Sequence, residues 1–213
     1  IDVKAAKKST SEKISKMSGK KMSLRYAVED SKNGCAYSLY NIITPKVGLS
    51  YIENMNFSKI VQQDYTLSSG LGGLHHGTNT VEMANAYSTL ENHGEYRQAD
   101  CISSILDASG NEIYEEPESK TVYTRSASDQ MTDILEGVLN SSAGTAKGLK
   151  WSSASDVAAA AKTGTTNDNN VAWFCGYTPY YTISVWVGYD YPKSVKGLWG
   201  NTYPAYIWKE AML

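Results

Sequence analysis

Two short polar motifs in this chain combine residue types that acyl-transfer chemistry uses. Ser31-Lys32-Asn33 lies in a turn-forming stretch between two predicted helices, and Lys162-Thr163-Gly164 lies on a predicted strand. A serine hydroxyl both donates and accepts hydrogen bonds, and a lysine ammonium stabilises negative charge that develops during a reaction. Each tripeptide alone also has a plain structural explanation, because loop serines often form turns and strand-end lysines are often solvated.

Short helices are predicted to position the first motif. Ser23 is a suitable N-cap for a helix that stops at the turn-forming run 30–34. A second helix follows and ends before Pro45, and residues 46–60 predict another. The serine motif is therefore expected at a junction between helices.

Two longer helices are predicted before the second motif. Thr80 opens one of them, and Gly94 is a plausible stop. Ser126 and Asp129 resemble a capping box in front of an apolar stripe that ends at Leu139. A turn at 107–110 indicates a hairpin between these two helices.

The last third of the chain predicts a sheet. Val157 to Thr166, Val171 to Tyr177 and Tyr181 to Tyr189 are strand-like, and the third alternates with a period of two. Pro204 fits the first turn of a closing helix. We therefore predict an α+β fold, with an antiparallel sheet covered by helices and a helical lobe.

Composition excludes several classes of function. The chain has 213 residues, of which 41% are hydrophobic, and a formal net charge of −2. This balance gives no support to nucleic-acid binding, which requires a basic surface. The three cysteines form no C-x-x-C pair, and the histidines have no metal-ligand spacing, so neither a metal nor a cofactor is predicted.

The order and the flanks of the two motifs carry a resemblance to a known family. From about residue 20 to 213, the sequence resembles the transpeptidase domain of class A (bifunctional) penicillin-binding proteins, whose superfamily uses S-x-x-K, S-x-N and K-T-G elements. The stretches that carry the resemblance, besides the two motifs, are Met22 to Ala27, Val81 to Tyr87, Asn92-His93-Gly94, Gly144-Thr145-Ala146, Thr165 to Asp168, Ala172 to Tyr177 and Val185 to Asp190.

The resemblance implies a role for each residue of the two motifs. Ser31 and Lys162 would be a hydrogen-bonded pair that shuttles protons and polarises the site, and Asn33 would hold a substrate carbonyl. Thr163 and Thr165 would bind the substrate carboxylate, with the Thr165 backbone N–H as one oxyanion donor. Gly164 would let the substrate peptide lie against the strand. Apart from these roles, the Tyr and Trp side chains of 173–208 are expected mostly to pack within strands and helices, and Trp173 and Tyr177 are candidates for lining the groove.

The nucleophilic serine of S-x-x-K is not among the residues that match. Ser18-Gly19-Lys20-Lys21 has the spacing, but the segment is polar, Gly19 is a poor helix former, and Ser18 is too near Ser31. We therefore expect the nucleophile before Ile1, with 1–22 as a polar lead-in and 23–213 as a partial transpeptidase domain. The parent is then either a longer enzyme or a degenerate member of the family.

The implied function is a serine-type D-Ala-D-Ala transpeptidase that cross-links peptidoglycan stem peptides and is acylated by β-lactams. The enzyme would lie on the extracytoplasmic face of the bacterial membrane. It would contact the membrane only through an N-terminal anchor outside this sequence. Two alternatives stay open, namely a catalytically silent scaffold domain with the same groove and a serine β-lactamase. Neither a nucleic-acid partner nor a cofactor is expected.

Overall fold

A computed structural model describes residues 22–191 and 193–213, so the predicted lead-in lies outside the described residues except for Met22. The architecture within these ranges is α+β, as predicted. The helices are α1 (Leu24–Glu29), α2 (Asn33–Ile43), α3 (Pro45–Asn54), α4 (Thr80–Glu91), α5 (Arg125–Asn140), α6 (Trp151–Ala154) and α7 (Tyr203–Met212). The strands are β1 (Glu95–Tyr96), β2 (Lys120–Thr121), β3 (Ala160–Thr165), β4 (Val171–Tyr177) and β5 (Thr182–Gly188).

The sheet that carries the second motif has three antiparallel strands in the order β3-β4-β5. Lys162 pairs with Cys175, and Thr163 pairs with Phe174. Successive side chains point to opposite faces of a strand, so Lys162 and Thr163 face different layers. Because β3 is an edge strand among the described residues, half of its backbone groups are turned away from β4.

Helices cover both faces of this sheet. On one face, α7 packs through Trp208, whose ring lies 5.2 Å from that of Phe174 and whose indole N–H donates to the Gly176 carbonyl at 3.1 Å. On the other face, α4 and α5 meet the sheet at Tyr177, whose hydroxyl is 2.8 Å from Thr132 Oγ1. The main core lies between these layers.

A helical lobe carries the first motif, and the ring of Tyr40 holds it together. A Cβ atom on Gly48 would lie 2.1 Å from this ring, and one on Gly70 would lie 2.4 Å from it. The Tyr40 hydroxyl lies 2.9 Å from Ser69 Oγ. These two glycines therefore let α2, α3 and the 3-10 turn Leu67–Leu71 close around one aromatic side chain.

A buried carboxylate joins the lobe to the helices of the sheet layer. Glu29, 6% exposed, accepts a hydrogen bond from Ser141 Oγ at 2.8 Å. Arg25 lies 3.7 Å from the same carboxylate and donates to the Asp133 carbonyl at 2.9 Å. A Cβ atom on Gly137 would lie 2.1 Å from Glu29 Oε1, so α5 needs a glycine there. These contacts fix α1 on α5.

Two local sequence predictions were wrong in detail, and a third was confirmed on a smaller scale. Thr124, and not Ser126, caps α5, because its hydroxyl accepts from the Ala127 N–H at 3.3 Å. The predicted hairpin forms but is short, with one antiparallel bridge between Leu106 and Glu112 and a hydrogen bond from the Ile113 N–H to the Ile105 carbonyl at 2.8 Å. Asn33 lies in the first turn of α2 instead of the preceding loop. The Ser23 cap, the Thr80 start and the closing helix at Pro204 are confirmed.

The Glu29 junction predicts the effect of filling Gly137. Alanine normally stabilises a helix interior by about 0.5–1 kcal/mol relative to glycine. Gly137→Ala should instead lower the free energy of unfolding by about 1–3 kcal/mol, because the new methyl displaces a buried carboxylate from its hydrogen bond. Gly34→Ala, in α2 with no atom within 4 Å of its Cβ position, is the matched control and should not be destabilising. Equal effects in denaturant unfolding would contradict this assignment.

Candidate active site

Ser31 occupies a strained position at the end of α1. Its φ angle is +53°, in the left-handed region that favours glycine. The Ser31 N–H donates to the Val28 carbonyl at 3.1 Å, and the Lys32 N–H donates to the Ala27 carbonyl at 2.8 Å. This pair of bonds is a Schellman motif, in which the left-handed residue is usually glycine. A serine there places a hydroxyl, at some conformational cost, at the tip of a sharply ended helix.

The side chain of Lys162 reaches from β3 to this hydroxyl. Its Nζ donates to Ser31 Oγ at 2.8 Å and to the Thr163 carbonyl at 3.1 Å. The structure thus brings together the serine of the first motif and the lysine of the second, across 131 positions of sequence. Burial lowers the pKa of Lys162 to about 8, because the charged ammonium loses solvation.

A cavity of about 160 Å³ opens beside this pair. Its polar lining comprises Ser31, Lys32, Asn33 and Lys162, and the rest of the wall is mostly apolar. Other lining residues are Leu24, Ala27, Val28, Cys35, Ala36 and Leu39. A pocket with few polar groups on an apolar wall is typical of ligand and active sites.

Asn33 borders the same cavity from the first turn of α2. Within 22–191 and 193–213, its side chain has no hydrogen-bond partner, and the residue is exposed. Its amide therefore keeps both its donors and its acceptor for a ligand. Ser31 and Asn33 are held by different helices, with Lys32 between them.

The hydroxyls of Thr163 and Thr165 are engaged within the chain. Thr163 Oγ1 lies 2.8 Å from Thr145 Oγ1, and Thr165 Oγ1 accepts a hydrogen bond from the Gly200 N–H at 2.9 Å. Because the Thr165 hydroxyl acts as acceptor in that bond, its own proton is available for a further acceptor. The predicted substrate-binding threonines are therefore also part of the framework of the site.

The direction of each backbone N–H and C=O group of β3 decides whether it can bind a ligand. The Thr166 N–H donates to the Val171 carbonyl at 3.0 Å, so the N–H and C=O groups of every second residue before Thr166 also point toward β4. This alternation turns the Thr165 N–H to the open edge. A Cβ atom on Gly164 would lie 3.2 Å from Trp173 Cβ, and one on Gly200 would lie 2.7 Å from the Gly164 carbonyl oxygen. Gly164 thus sits in a tight place between two neighbours.

Sequence reasoning missed some residues and misplaced one. Three residues that were not predicted as site residues connect the walls of the site. Glu29 bonds to Ser141, Thr145 bonds to Thr163, and Asn201 bonds to the Thr145 carbonyl. Thr145 belonged to a matching stretch, but nothing in the sequence gave its contacts. Tyr177, a candidate for lining the groove, does not do so: it is 2% exposed, packs in the core as most aromatic residues of this region were expected to, and lies at the other end of β4, beside Ala160.

The comparison with known families decides the relationship. The family described as the penicillin binding protein transpeptidase domain matches residues 2–213, almost the whole chain. The chain belongs to this transpeptidase family. It is 33% identical to penicillin-binding protein 4 of Bacillus subtilis over 189 residues, which cover 88% of the chain and 30% of that protein. It is 34% identical to penicillin-binding protein 1A of Clostridium novyi, over 82% of the chain and 20% of that protein.

The resemblance to class A penicillin-binding proteins is thereby confirmed. Solved structures agree in fold: PonA1 of Mycobacterium tuberculosis, in complex with penicillin V, has a TM-score of 0.74 at 24% identity, covering 89% of the chain and 55% of that structure. Penicillin-binding protein 1A of Haemophilus influenzae has a TM-score of 0.72 at 19% identity, covering 90% and 34%. The chain spans only 30% of the length of the Bacillus subtilis protein and 20% of the length of the Clostridium novyi protein. In the described part of this penicillin-binding transpeptidase chain, no helix has the length and apolar character of a membrane span.

The lowered pKa of Lys162 predicts a pH-dependent stability. Below pH 8 the lysine is charged in both states, so the folded protein carries the full cost of burying the ammonium. Between pH 8 and its ordinary value of 10.5 the unfolded chain binds more protons, and stability rises with pH. The stability advantage of Lys162→Met over the natural protein should therefore shrink by about 1–3 kcal/mol between pH 7 and pH 10. Denaturant unfolding at both pH values measures this, and a constant difference would contradict the burial of the charge.

Proposed function

We propose that this chain is the C-terminal part of a serine-type DD-transpeptidase domain that cross-links peptidoglycan stem peptides. One observation carries the proposal: Lys162 of the K-T-G strand donates to Ser31 of the S-x-N turn at 2.8 Å, on the edge of a cavity. The domain comprises residues 23–213 together with a nucleophile segment that lies before Ile1.

The proposed reaction has two acyl transfers. A serine hydroxyl attacks the carbonyl of the penultimate D-Ala, an ester bond forms, and the peptide C–N bond breaks. The terminal D-Ala leaves with a proton on its nitrogen. The amine of a second stem peptide then attacks the ester carbonyl: a new amide bond forms, the ester C–O bond breaks, and a proton from the amine passes to the serine oxygen. Acyl-enzyme chemistry of this kind requires proton transfer in both directions and stabilisation of a tetrahedral oxyanion.

Ser31 and Lys162 are the proposed proton-transfer pair. A hydroxyl that accepts from an ammonium directs its own proton away from that ammonium, toward a leaving nitrogen or a neutral amine. A lysine with a pKa of about 8 exchanges protons near neutral pH more readily than an ordinary lysine does. Ser31 therefore passes the proton, and Lys162 holds the hydroxyl in place and polarises it.

The substrate is held by the remaining residues of the two motifs. Asn33 offers a free side-chain amide to a peptide carbonyl, and Thr165 offers its hydroxyl proton to the terminal carboxylate. The Thr165 N–H, on the open side of β3, is one oxyanion donor, and Thr163 lies beside the same carboxylate. Gly164 lets the substrate peptide run along the strand edge, where backbone groups pair as in an added strand.

The remaining parts of the proposal concern the whole protein. We place the domain on the extracytoplasmic face of the bacterial membrane, where stem peptides are the substrates and β-lactams are the inhibitors. A catalytically silent scaffold is the competing function, and it differs in one respect: its parent lacks a serine that β-lactams acylate. The site of acylation therefore distinguishes the two.

The first test locates the nucleophile. The full protein that carries this chain is incubated with a reporter penicillin, digested and mapped by mass spectrometry. We expect one covalent adduct, on a serine of an S-x-x-K segment outside residues 1–213. An adduct on Ser18 or Ser31 would contradict the placement of the nucleophile, and a protein that forms no adduct would favour the scaffold.

The second test concerns Lys162. In the full protein, Lys162→Ala should lower the rate of acylation by a fluorescent penicillin by about 100-fold or more, because proton transfer and charge stabilisation are lost together. Lys209→Ala is the control: its ammonium also donates to a backbone carbonyl, that of Leu149 at 2.9 Å, but in α7. Equal rates for the two variants would remove Lys162 from the mechanism, and loss of the folded state in Lys162→Ala alone would make it structural.

A further inference from the structure

Thr145 forms hydrogen bonds with three separate walls of the site. Its backbone N–H donates to the Glu29 carbonyl at 3.1 Å, in the last turn before Ser31. Its hydroxyl lies 2.8 Å from Thr163 Oγ1, on β3. Its carbonyl accepts from Asn201 Nδ2 at 2.9 Å, in the loop that also donates to Thr165. One residue therefore ties the serine turn, the K-T-G strand and the loop over that strand.

Thr145 is itself held rigidly. Gly144 packs so closely on the end of α5 that a Cβ atom there would lie 2.4 Å from the carbonyl oxygens of Gly137 and Val138. On the other side, the Ala146 N–H donates to the Val138 carbonyl at 3.0 Å. The turn is thus fixed to the same end of α5 that binds Glu29. A half-buried side chain on so rigid a turn can set distances between its neighbours.

The hydroxyl contact acts on the peptide unit that Lys162 uses. Lys162 Nζ donates to the Thr163 carbonyl at 3.1 Å, and the same residue's hydroxyl bonds to Thr145. A shift of Thr163 would therefore move one of the two acceptors that orient the ammonium. The Thr145 N–H, in turn, donates to the carbonyl of Glu29 at the end of α1. The other acceptor of the ammonium, the Ser31 hydroxyl, follows two residues later.

We propose that Thr145 is a positioning residue for the transpeptidase reaction, which fixes the distance between the Ser31 turn and the K-T-G strand. It touches neither the substrate nor the reacting atoms, and it acts through Thr163 and the end of α1. The inference rests on the proposed function for its role in the reaction, and on the three hydrogen bonds for its geometry.

The test uses Thr145→Val, which keeps the shape of the side chain and removes the hydroxyl. In the full protein, the second-order rate of acylation by a fluorescent penicillin, per active molecule, should fall by about 10-fold or more, since small displacements of catalytic groups are costly. Thr145→Ser keeps the hydroxyl and should restore the rate to within about 3-fold of the natural value. Thr132→Val is the matched control, because it removes an equal 2.8 Å hydroxyl contact, with Tyr177, away from the site.

A second measurement does not depend on acylation. The pH dependence with which an amine-directed reagent labels Lys162 is followed in the full protein by mass spectrometry. Its midpoint should shift in Thr145→Val and stay in place in Thr132→Val. If the natural protein is not acylated, the proposed function fails. The comparison of the labelling midpoints of Thr145→Val and Thr132→Val then still decides whether Thr145 positions Lys162. A Thr145→Val protein that matches Thr132→Val in labelling and acylation, and differs only in thermal stability, would overturn the inference.

Discussion

The geometry of the whole site depends on one buried carboxylate. Glu29 is buried at the junction of α1 and α5. A buried carboxylate is tolerated only where hydrogen bonds and an opposite charge compensate the loss of solvation. Ser141 supplies the hydrogen bond and Gly137 the space, and Arg25, which also pairs with the Asp133 carboxylate on α5, supplies the opposite charge. These contacts fix the orientation of α1 on α5. Ser31, two residues after Glu29, is thereby directed at β3.

The strain at Ser31 follows from that orientation. The chain must end α1, turn sharply and enter α2 within three residues, and a left-handed residue with the two Schellman hydrogen bonds does this. Glycine would make the turn at lower conformational cost but would bring no hydroxyl. Residues in sparsely populated backbone regions persist where surrounding contacts over-determine them, and here these contacts are the Glu29 junction behind Ser31 and Lys162 in front. The left-handed serine therefore fits the proposed role of Ser31, although Thr44 and Lys150 also have positive φ angles.

Sequence patterns predicted local structure well and long-range contacts poorly. The alternation in β5 and the place of Pro204 in the first turn of α7 depend on neighbouring residues alone, and both were predictable. The two candidate motifs were found because each is contiguous in sequence. Glu29 and Thr145 were missed as site residues because their contacts join positions far apart, such as the 112 positions that separate Glu29 from Ser141. Tyr177 was misplaced because its distance from the K-T-G motif is set by which end of β4 it occupies, and only the register gives that.

The charge of the buried Lys162 ammonium has no anionic partner in the two motifs. An ammonium has three donors, and in the described part of the chain Lys162 uses two of them, on Ser31 and the Thr163 carbonyl. Both acceptors are neutral, so neither compensates the positive charge, and burial lowers the pKa. In the proposed reaction, a substrate carboxylate beside Thr165, or an oxyanion that develops at the strand edge, would supply the missing negative charge. Such a site would favour the charged lysine most when an anionic group is bound, and this coupling would make the proposed transition state a better partner for Lys162 than the empty groove.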